Sequence, residues 1–212
     1  MHLALFGASG RTGQLLAERA LADGHTISAL VRNPASYPLA TRVKVVAGNP
    51  FTPADIARTL VGADAVLSAL GARSWRREEV IERALPPILE GMQTAGVSRI
   101  VVLGSAGAED SAMAKQPAWR RWLVENIVYK TVLKWPVESQ RVQYRLLSAS
   151  PLDWTMVMPP MLTNGPARGK LRVDGEALPR NASSISRAAV ADFMVQQLDE
   201  RTWSRKGVYI TW

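Results

Sequence analysis

A glycine-rich turn near the amino terminus carries the clearest chemical signal in this chain of 212 residues. Gly7, Gly10 and Gly13 follow an apolar run and precede a helical pattern, in the segment GASGRTG. In a phosphate-binding turn of this kind, the glycines permit a tight turn, close approach of a pyrophosphate, and close packing of the helix on the sheet. The helix amino terminus then presents N–H groups and partial positive charge to the phosphates. The segment predicts a dinucleotide site with Ser9 as a further contact, the alternative being a plain glycine turn.

The end of the second predicted strand indicates which dinucleotide is preferred. This position lies over the adenosine ribose, where an acidic residue favours NAD and an arginine accommodates the 2′-phosphate of NADP. Here the residue is Arg32, and no acidic residue lies between Thr26 and Ser36. Arg11 and Thr12 can add donors at the same phosphate. The sequence therefore predicts NADP(H) in preference to NAD(H), unless Arg32 is only a solvated loop charge.

The elements that must position these residues alternate along the chain, as expected for βαβ units and a parallel sheet. Strands are predicted at residues 3–6, 27–31, 43–47, 65–69, 100–103, 154–158 and 208–212, and helices at 12–23, 55–60, 78–95, 117–135, 137–150 and 186–198. Pro86 and Pro87 predict a kink or a division in one helix, and Pro136 separates two others. Residues 162–181 are expected to form loops with one short hairpin at Asp174-Gly175.

We therefore expect a single α/β domain over residues 1–212. Its fold class is a Rossmann-type, doubly wound, mainly parallel sheet with helices on both faces. A small carboxy-terminal substrate region is expected, with substrate-side elements mainly within residues 105–185.

Composition excludes several other kinds of site and partner. The chain has no cysteine, which excludes disulfides, iron–sulfur clusters and thiol nucleophiles, and His2 and His25 are too few for a histidine-rich metal centre. The net charge of +8 favours anionic partners, but no motif indicates nucleic acid. We expect no metal, no transmembrane segment, no signal peptide and a cytoplasmic location. The oligomeric state stays open.

Several segments together resemble the atypical short-chain dehydrogenase/reductases, in the NAD(P)H-binding branch that contains NmrA-like proteins and the biliverdin reductase B and flavin reductase group. These segments are GASGRTG, VRNP, ADAVLSALG, LDWTMVMPP and ISRAAVADF, and the resemblance extends over residues 1–212. It implies a Rossmann-type sheet with the cofactor across the strand ends. The resemblance also implies cofactor contacts beside the adenine, beyond the fourth strand and at the nicotinamide, namely Asn49 (more often Asp in the family), then Ala69, Leu70 and Gly71, and then Pro159.

The chain departs from this family at the residues that usually move protons. Short-chain dehydrogenases reduce carbonyls with a Tyr-x-x-x-Lys pair, and this sequence has none. Aligned on LDWT, the family's tyrosine and lysine fall near Pro136 and Gln140. The departure argues against ketone reduction and sugar epimerisation. Ser105, after the fifth strand, is our catalytic or substrate-orienting candidate, the alternative being that it only caps a turn.

A tryptophan-rich basic segment at residues 118–135 is the candidate wall of the substrate site. Trp119, Arg120, Trp122 and Tyr129 are predicted to bind a small conjugated or anionic substrate. The alternatives are a surface that docks on a membrane or a partner, and a helix packed on the domain. The basic loop RSWRR at residues 73–77 is expected to be solvated, or else to close over the cofactor.

Two functions fit these residues. One is an NADPH-dependent oxidoreductase that transfers hydride to a conjugated ring such as a flavin, quinone or tetrapyrrole, because such rings accept hydride without a dedicated acid. The other is a non-catalytic NADP(H) sensor or assembly protein that uses the same fold to regulate a partner.

Overall fold

The computed structural model of the protein describes residues 1–72 and 76–212, so residues 73–75 of the predicted basic loop lie outside the described part. The elements are β1 (His2–Phe6), α1 (Arg11–Ala22), β2 (Thr26–Val31), β3 (Lys44–Ala47), α2 (Pro53–Leu60), β4 (Ala65–Ser68), α3 (Val80–Thr94), β5 (Arg99–Leu103), α4 (Ala118–Leu123), α5 (Lys134–Ala149), β6 (Asp153–Met158), β7 (Met161–Thr163), β8 (Arg172–Asp174), β9 (Ser184–Ser186), α6 (Arg187–Gln196) and β10 (Lys206–Thr211). Among the described helices, none combines the length and the hydropathy that a bilayer crossing requires.

The main sheet has the strand order β3-β2-β1-β4-β5-β6-β10-β8. All its pairs are parallel except β10 with β8. Its first six strands follow the order of the doubly wound dinucleotide-binding fold, which places a topological switch point between β1 and β4. Ligands of such sheets bind beyond the carboxyl ends of the strands at this point. A small parallel sheet of β7 and β9 contacts α6 and β10 through β9.

The sheet is buried on both faces because its strands carry apolar residues in succession. On β1, Leu3 and Leu5 face a core that includes α1 and α6, whereas Ala4 and Phe6 face a core that includes α2, α3 and α5. This two-sided burial explains why the strands show continuous apolar runs rather than alternation. The structure confirms the predicted α/β class with helices on both faces.

The prolines do not divide the helices where the sequence predicted. Pro86 and Pro87 lie inside the continuous helix α3, whose Leu85 and Ile88 are buried against the sheet. Tertiary packing of an apolar face thus outweighs the lost backbone hydrogen bonds. Pro136 lies in the first turn of α5, where a missing N–H costs nothing because these amides have no intrahelical acceptor. The break predicted at Pro136 falls instead between the turn Val124–Val128 and α5.

The region predicted as loops with a hairpin contains two strands that pair elsewhere. Asp174 does not begin a hairpin, because β8 pairs antiparallel with β10, with Asp174 opposite Tyr209. Asp174 Oδ1 accepts hydrogen bonds from the backbone N–H groups of Glu176 and Ala177, at 2.9 and 3.2 Å, and so turns the chain locally. The prediction of a hairpin at Asp174-Gly175 is therefore wrong, because a turn signal does not specify the strand partner.

A buried arginine joins several elements at the amino ends of the strands, the opposite end of the sheet from the switch point. Arg99, at the start of β5, donates to Asp153 Oδ1 at 3.0 Å, to Thr155 Oγ1 at 2.8 Å and to the carbonyl of Gln197 beyond α6. The side chain of Arg99 is 3% exposed, and this burial lowers the pKa of its guanidinium. Asp153 also accepts from the exposed Arg201 at 2.8 Å, so one carboxylate serves a buried and an exposed arginine.

This shared carboxylate allows a matched stability test. Breaking a buried ion pair typically costs about 3–5 kcal/mol, whereas an exposed pair is worth about 0–1 kcal/mol. We expect Arg99→Met to lower the free energy of unfolding by about 3 kcal/mol and Arg201→Met by less than about 1 kcal/mol. Urea denaturation of both variants measures the difference, and equal losses would show that Arg99 does not join β5 to β6 and α6 as described.

Candidate functional site

The carboxyl ends of the central strands open into a cleft of about 710 Å³ at the switch point. Its walls come from the loops that follow β1, β2, β3, β4 and β5, together with residues of α5, β7 and α6. The sequence-predicted cofactor residues that line it are Gly7, Ser9, Gly10, Arg11, Thr12, Arg32, Ala69, Leu70 and Gly71. Topology thus brings residues from three separate loops to one cavity.

The three glycines of the β1–α1 turn differ in what makes glycine necessary. Gly7 has a φ of +80°, and a Cβ on it would come within 2.6 Å of the backbone of Ala69. A Cβ on Gly13 would lie 2.1 Å from the carbonyl oxygen of Gly7, so glycine there lets α1 approach β1. Gly13 does not line the cleft, and its role is to allow the close packing of α1 on β1.

Gly10 has no such backbone requirement. Its φ of −75° suits any residue, and a Cβ would meet only the Gly7 oxygen, at 3.3 Å, a tight contact that a shift of a few tenths of an ångström relieves. Gly10 lies at the cleft, immediately before the first turn of α1, where backbone N–H groups have no intrahelical acceptor. The missing side chain keeps these donors accessible to an anion.

Three arginines make the described cleft lining strongly positive. Arg11 begins α1, Arg32 follows β2, and Arg187 begins α6, while the described lining contributes one carboxylate, from Glu78. Arg187 donates to two neutral oxygens, Asn164 Oδ1 at 2.9 Å and the carbonyl of Leu162 at 3.4 Å. Burial lowers the pKa of Arg187, and the positive charge of Arg11 adds to this effect. Two like charges held together in a cleft favour a bound anion.

One end of the cleft is apolar and follows β2, β3 and β4. Leu30, Phe51, Leu70 and Val80 line it, together with Gly48 and Pro50. Arg83 lies over the Phe51 ring, with its guanidinium carbon 4.7 Å from the ring centroid. An aromatic ring beside aliphatic side chains suits a flat heterocycle such as adenine.

Asn49 holds the loop at this end rather than lining the cleft. Its Oδ1 accepts from the N–H of Phe51 at 2.9 Å, and its own N–H donates to Asp55 Oδ2 at 3.0 Å. The side chain of Asp55 accepts hydrogen bonds from Arg58 and from the N–H of Asn49. These bonds lower the pKa of Asp55, that from Arg58 more than that from Asn49, because they stabilise its charged carboxylate. Asn49 therefore shapes the loop between the lining residues Gly48 and Pro50.

The other end of the cleft follows β5 and carries neutral polar groups. Ser105, Ser139 and Gln140 line it beside Leu103 and Pro136. Pro136 and Gln140 are the positions at which the sequence alignment expects the family's tyrosine and lysine, and both lie in the cleft wall. The described lining contains no tyrosine, lysine or histidine.

Within residues 1–72 and 76–212, no side-chain hydrogen bond holds the Ser105 hydroxyl. Ser105 precedes a short turn of helix, but its side chain makes no capping hydrogen bond. The turn is held by backbone bonds, from Ala106 N–H to the carbonyl of Pro159 at 3.0 Å and from Ala108 N–H to that of Ser105 at 3.0 Å. Pro159 is buried and does not line the cleft, so its visible role is to anchor this turn. The alternative that Ser105 only caps a turn is not supported.

The predicted substrate residues of segment 118–135 do not reach the cleft. Trp119, Arg120, Trp122 and Tyr129 are absent from its described lining. Arg120 donates to the carbonyl of Ala182 at 2.5 Å, and Trp119 and Trp122 are 70% and 60% exposed. Burial raises the pKa of Tyr129, which packs towards Gly107.

Sequence reasoning missed Arg187, Phe51 and Ser139, which all line the cleft. For Arg187 the sequence does carry a signal, because Ser186, at the start of the predicted helix 186–198, is a residue type that caps helices, and its hydroxyl accepts from the N–H of Ala189 at 3.2 Å. A cation directly after a helix cap opposes the helix dipole, which hints at an anion nearby. Phe51 and Ser139 carry no pattern that distinguishes them from ordinary loop and helix residues.

Comparison with known proteins identifies what this geometry is similar to. A family described as NAD(P)H-binding matches residues 7–201. A protein of Burkholderia pseudomallei described as exported is 29% identical over the whole of both chains, with a TM-score of 0.81. An anaerobillin reductase of Escherichia coli O157:H7 is 22% identical over all of this chain and 97% of that chain, with a TM-score of 0.82. A short-chain dehydrogenase/reductase of Veillonella parvula in complex with NADP is 19% identical over 100% and 94% of the chains, with a TM-score of 0.80.

The last two likenesses establish the shared fold, which is the one that the sequence resemblance implied. The family match is more specific, because it begins at Gly7 of the glycine-rich turn and continues beyond the end of α6. On this evidence the chain belongs to the NAD(P)H-binding family.

Proposed function

We propose that the protein is an NADPH-dependent reductase that delivers hydride to a conjugated ring, such as a flavin, a quinone or a tetrapyrrole. The observation that carries the proposal is the pairing of an arginine-lined dinucleotide cleft with a reaction end whose described lining has Ser105, Ser139 and Gln140 but no tyrosine or lysine. The structural neighbour from Escherichia coli O157:H7 is described as an anaerobillin reductase, and the fold that it shares with this chain is compatible with the proposed class.

The arrangement of the cleft residues suggests how the cofactor is held. The adenine would lie against Phe51 and Leu30, and the pyrophosphate would meet the first amides of α1 together with Arg11 and Arg187. Arg32 would bind the 2′-phosphate, which only NADP(H) carries. The nicotinamide end would then reach Ser105.

The reaction end favours acceptors that need little help with a proton. When bound, NADPH supplies the hydride, and a conjugated ring spreads the resulting charge over its own atoms. A simple ketone instead needs a positioned acid, which is typically worth about 10²–10⁴-fold in rate. Ser105 can orient the acceptor through its hydroxyl, while the acceptor takes its proton from water.

The cofactor preference can be tested with two arginine variants. A charge-assisted hydrogen bond contributes about 1.5–3 kcal/mol, so we expect Arg32→Ala to weaken NADPH binding about 10- to 100-fold and NADH binding little. Arg187→Ala should weaken both cofactors alike, since both carry the pyrophosphate. Fluorescence titration gives the affinity of each variant for NADPH and for NADH relative to the wild type. An equal loss of NADPH and NADH affinity in Arg32→Ala would rule out the 2′-phosphate contact.

The role of Gly10 can be separated from folding. We expect Gly10→Val to fold with a melting temperature near that of the wild type, because its φ is ordinary, yet to bind neither NADPH nor NADH detectably. Gly13→Ala provides the contrast, because its Cβ would clash with the backbone and lower the melting temperature. Unchanged cofactor affinity in Gly10→Val would place the phosphates elsewhere.

The acceptor class can be tested by steady-state NADPH oxidation with flavins, quinones and biliverdin against simple ketones and sugars. We expect turnover only with the conjugated rings, and a lower kcat in Ser105→Ala with little change in NADPH affinity. Robust ketone reduction would overturn the proposal. Tight NADPH binding without oxidation by any acceptor would favour the second candidate, a non-catalytic NADP(H) sensor, which the lack of an acid–base pair in the described lining also suits.

A further inference from the structure

The segment before α5 exposes an unusual apolar surface. None of residues 117–136 is buried, and α4 and the following turn Val124–Val128 contribute no buried side chain. Of the ten large apolar residues that the described chain leaves exposed, six belong to this segment: Trp119, Trp122, Leu123, Ile127, Val132 and Trp135. Such clustering differs from the scattered apolar residues of an ordinary surface and marks an interaction site.

Internal anchors turn this apolar face outward. Arg120 holds α4 to the carbonyl of Ala182 at 2.5 Å, and Val124 packs against the core. Trp119, Trp122 and Ile127 recur at helical spacing on another face, where they are 70%, 60% and 44% exposed. The apolar stripe therefore does not serve the packing of the domain, which was one of the alternatives for this sequence pattern.

The charges around the tryptophans indicate the kind of partner. Between residues 118 and 135 the chain carries four basic residues and one acidic residue. Lys130 donates to Asn126 Oδ1 at 3.0 Å, and Lys134 lies over the Trp135 ring at 4.9 Å, so neither of these contacts neutralises a lysine. A second copy of this face would meet it with the same sign of charge, whereas an anionic surface would complement it.

We propose that this face, formed by Trp119, Trp122, Leu123 and Ile127 with Lys130 and Lys134, docks on an anionic lipid bilayer. Exposed tryptophan and leucine beside lysine and arginine form the composition that binds at the headgroup level of membranes. These residues are exposed on the short helix α4 and the turn that follows it. A bilayer accepts such side chains by shallow insertion and needs no complementary shape, which distinguishes it from a folded acidic protein.

The same segment reaches the rim of the cofactor cleft. The Arg77 guanidinium carbon lies 5.3 Å from the centroid of the Trp135 ring. Glu78, which follows Arg77, and Pro136, which follows Trp135, both line the cleft. Docking through this face would bring the cleft rim close to the lipid surface. The docking proposal does not depend on the proposed reductase activity, because it involves no cleft residue.

Vesicle cosedimentation without nucleotide tests the proposal on the full chain. We expect binding to vesicles of phosphatidylcholine with phosphatidylglycerol, reduced by salt, and little binding to phosphatidylcholine alone. Trp119→Ser with Trp122→Ser, and separately Lys130→Gln with Lys134→Gln, should each weaken binding at least about tenfold. These side chains are exposed, and circular dichroism verifies that both variants fold.

Matched controls separate this face from general stickiness and charge. Val61→Ser removes an apolar side chain that is 62% exposed elsewhere, and Arg42→Gln with Lys44→Gln removes two exposed charges; both should bind vesicles like the wild type. Equal losses in the controls, or no binding of the wild type to anionic vesicles, would overturn the proposal. So would a wild-type dimer that the tryptophan variant dissociates, because a second copy would then cover the face.

Discussion

The close approach of α1 to β1 is the constraint on which the site depends. Only a residue without a side chain fits at Gly13, where a Cβ would lie 2.1 Å from the oxygen of Gly7. The close approach of Gly13 to Gly7 places the amino terminus of α1 at the carboxyl end of β1, next to the switch point between β1 and β4. The cleft, its free amides and the positions of the neighbouring loops follow from that placement.

Charge in the cleft complements this backbone arrangement. Arg11 and Arg187 belong to the first turns of two helices, α1 and α6, that pack against each other, so their positive charges add to those of the helix amino termini. Such an arrangement is unfavourable without an anion and stabilising with one. We propose that the fold holds a preformed anion site here, and the NAD(P)H-binding family to which the chain belongs points to a dinucleotide phosphate as that anion.

Much of the fold could be predicted because its signals are local. The glycine turn, the apolar runs of β1 to β6 and the Ser186 cap each fall within a few residues, and the structure places each near its predicted position. The errors concern partners that are distant in sequence. Arg187 lies near enough to Arg11 for their charges to interact, although most of the chain separates them in sequence. Likewise, β8 pairs with the distant β10 rather than forming a local hairpin. In segment 118–135, spacing shows that an apolar face exists but not whether it points to the cleft, the core or the solvent.

The central claim is that the cleft holds NADPH with its 2′-phosphate at Arg32 and its nicotinamide beside Ser105. A crystal structure of the protein with NADP⁺ tests this most directly. The account predicts the Arg32 guanidinium within hydrogen-bonding distance of the 2′-phosphate, the pyrophosphate on the first amides of α1, and the nicotinamide ring next to the Ser105 hydroxyl. A 2′-phosphate in solvent away from Arg32, or a nicotinamide directed away from Ser105, would contradict it.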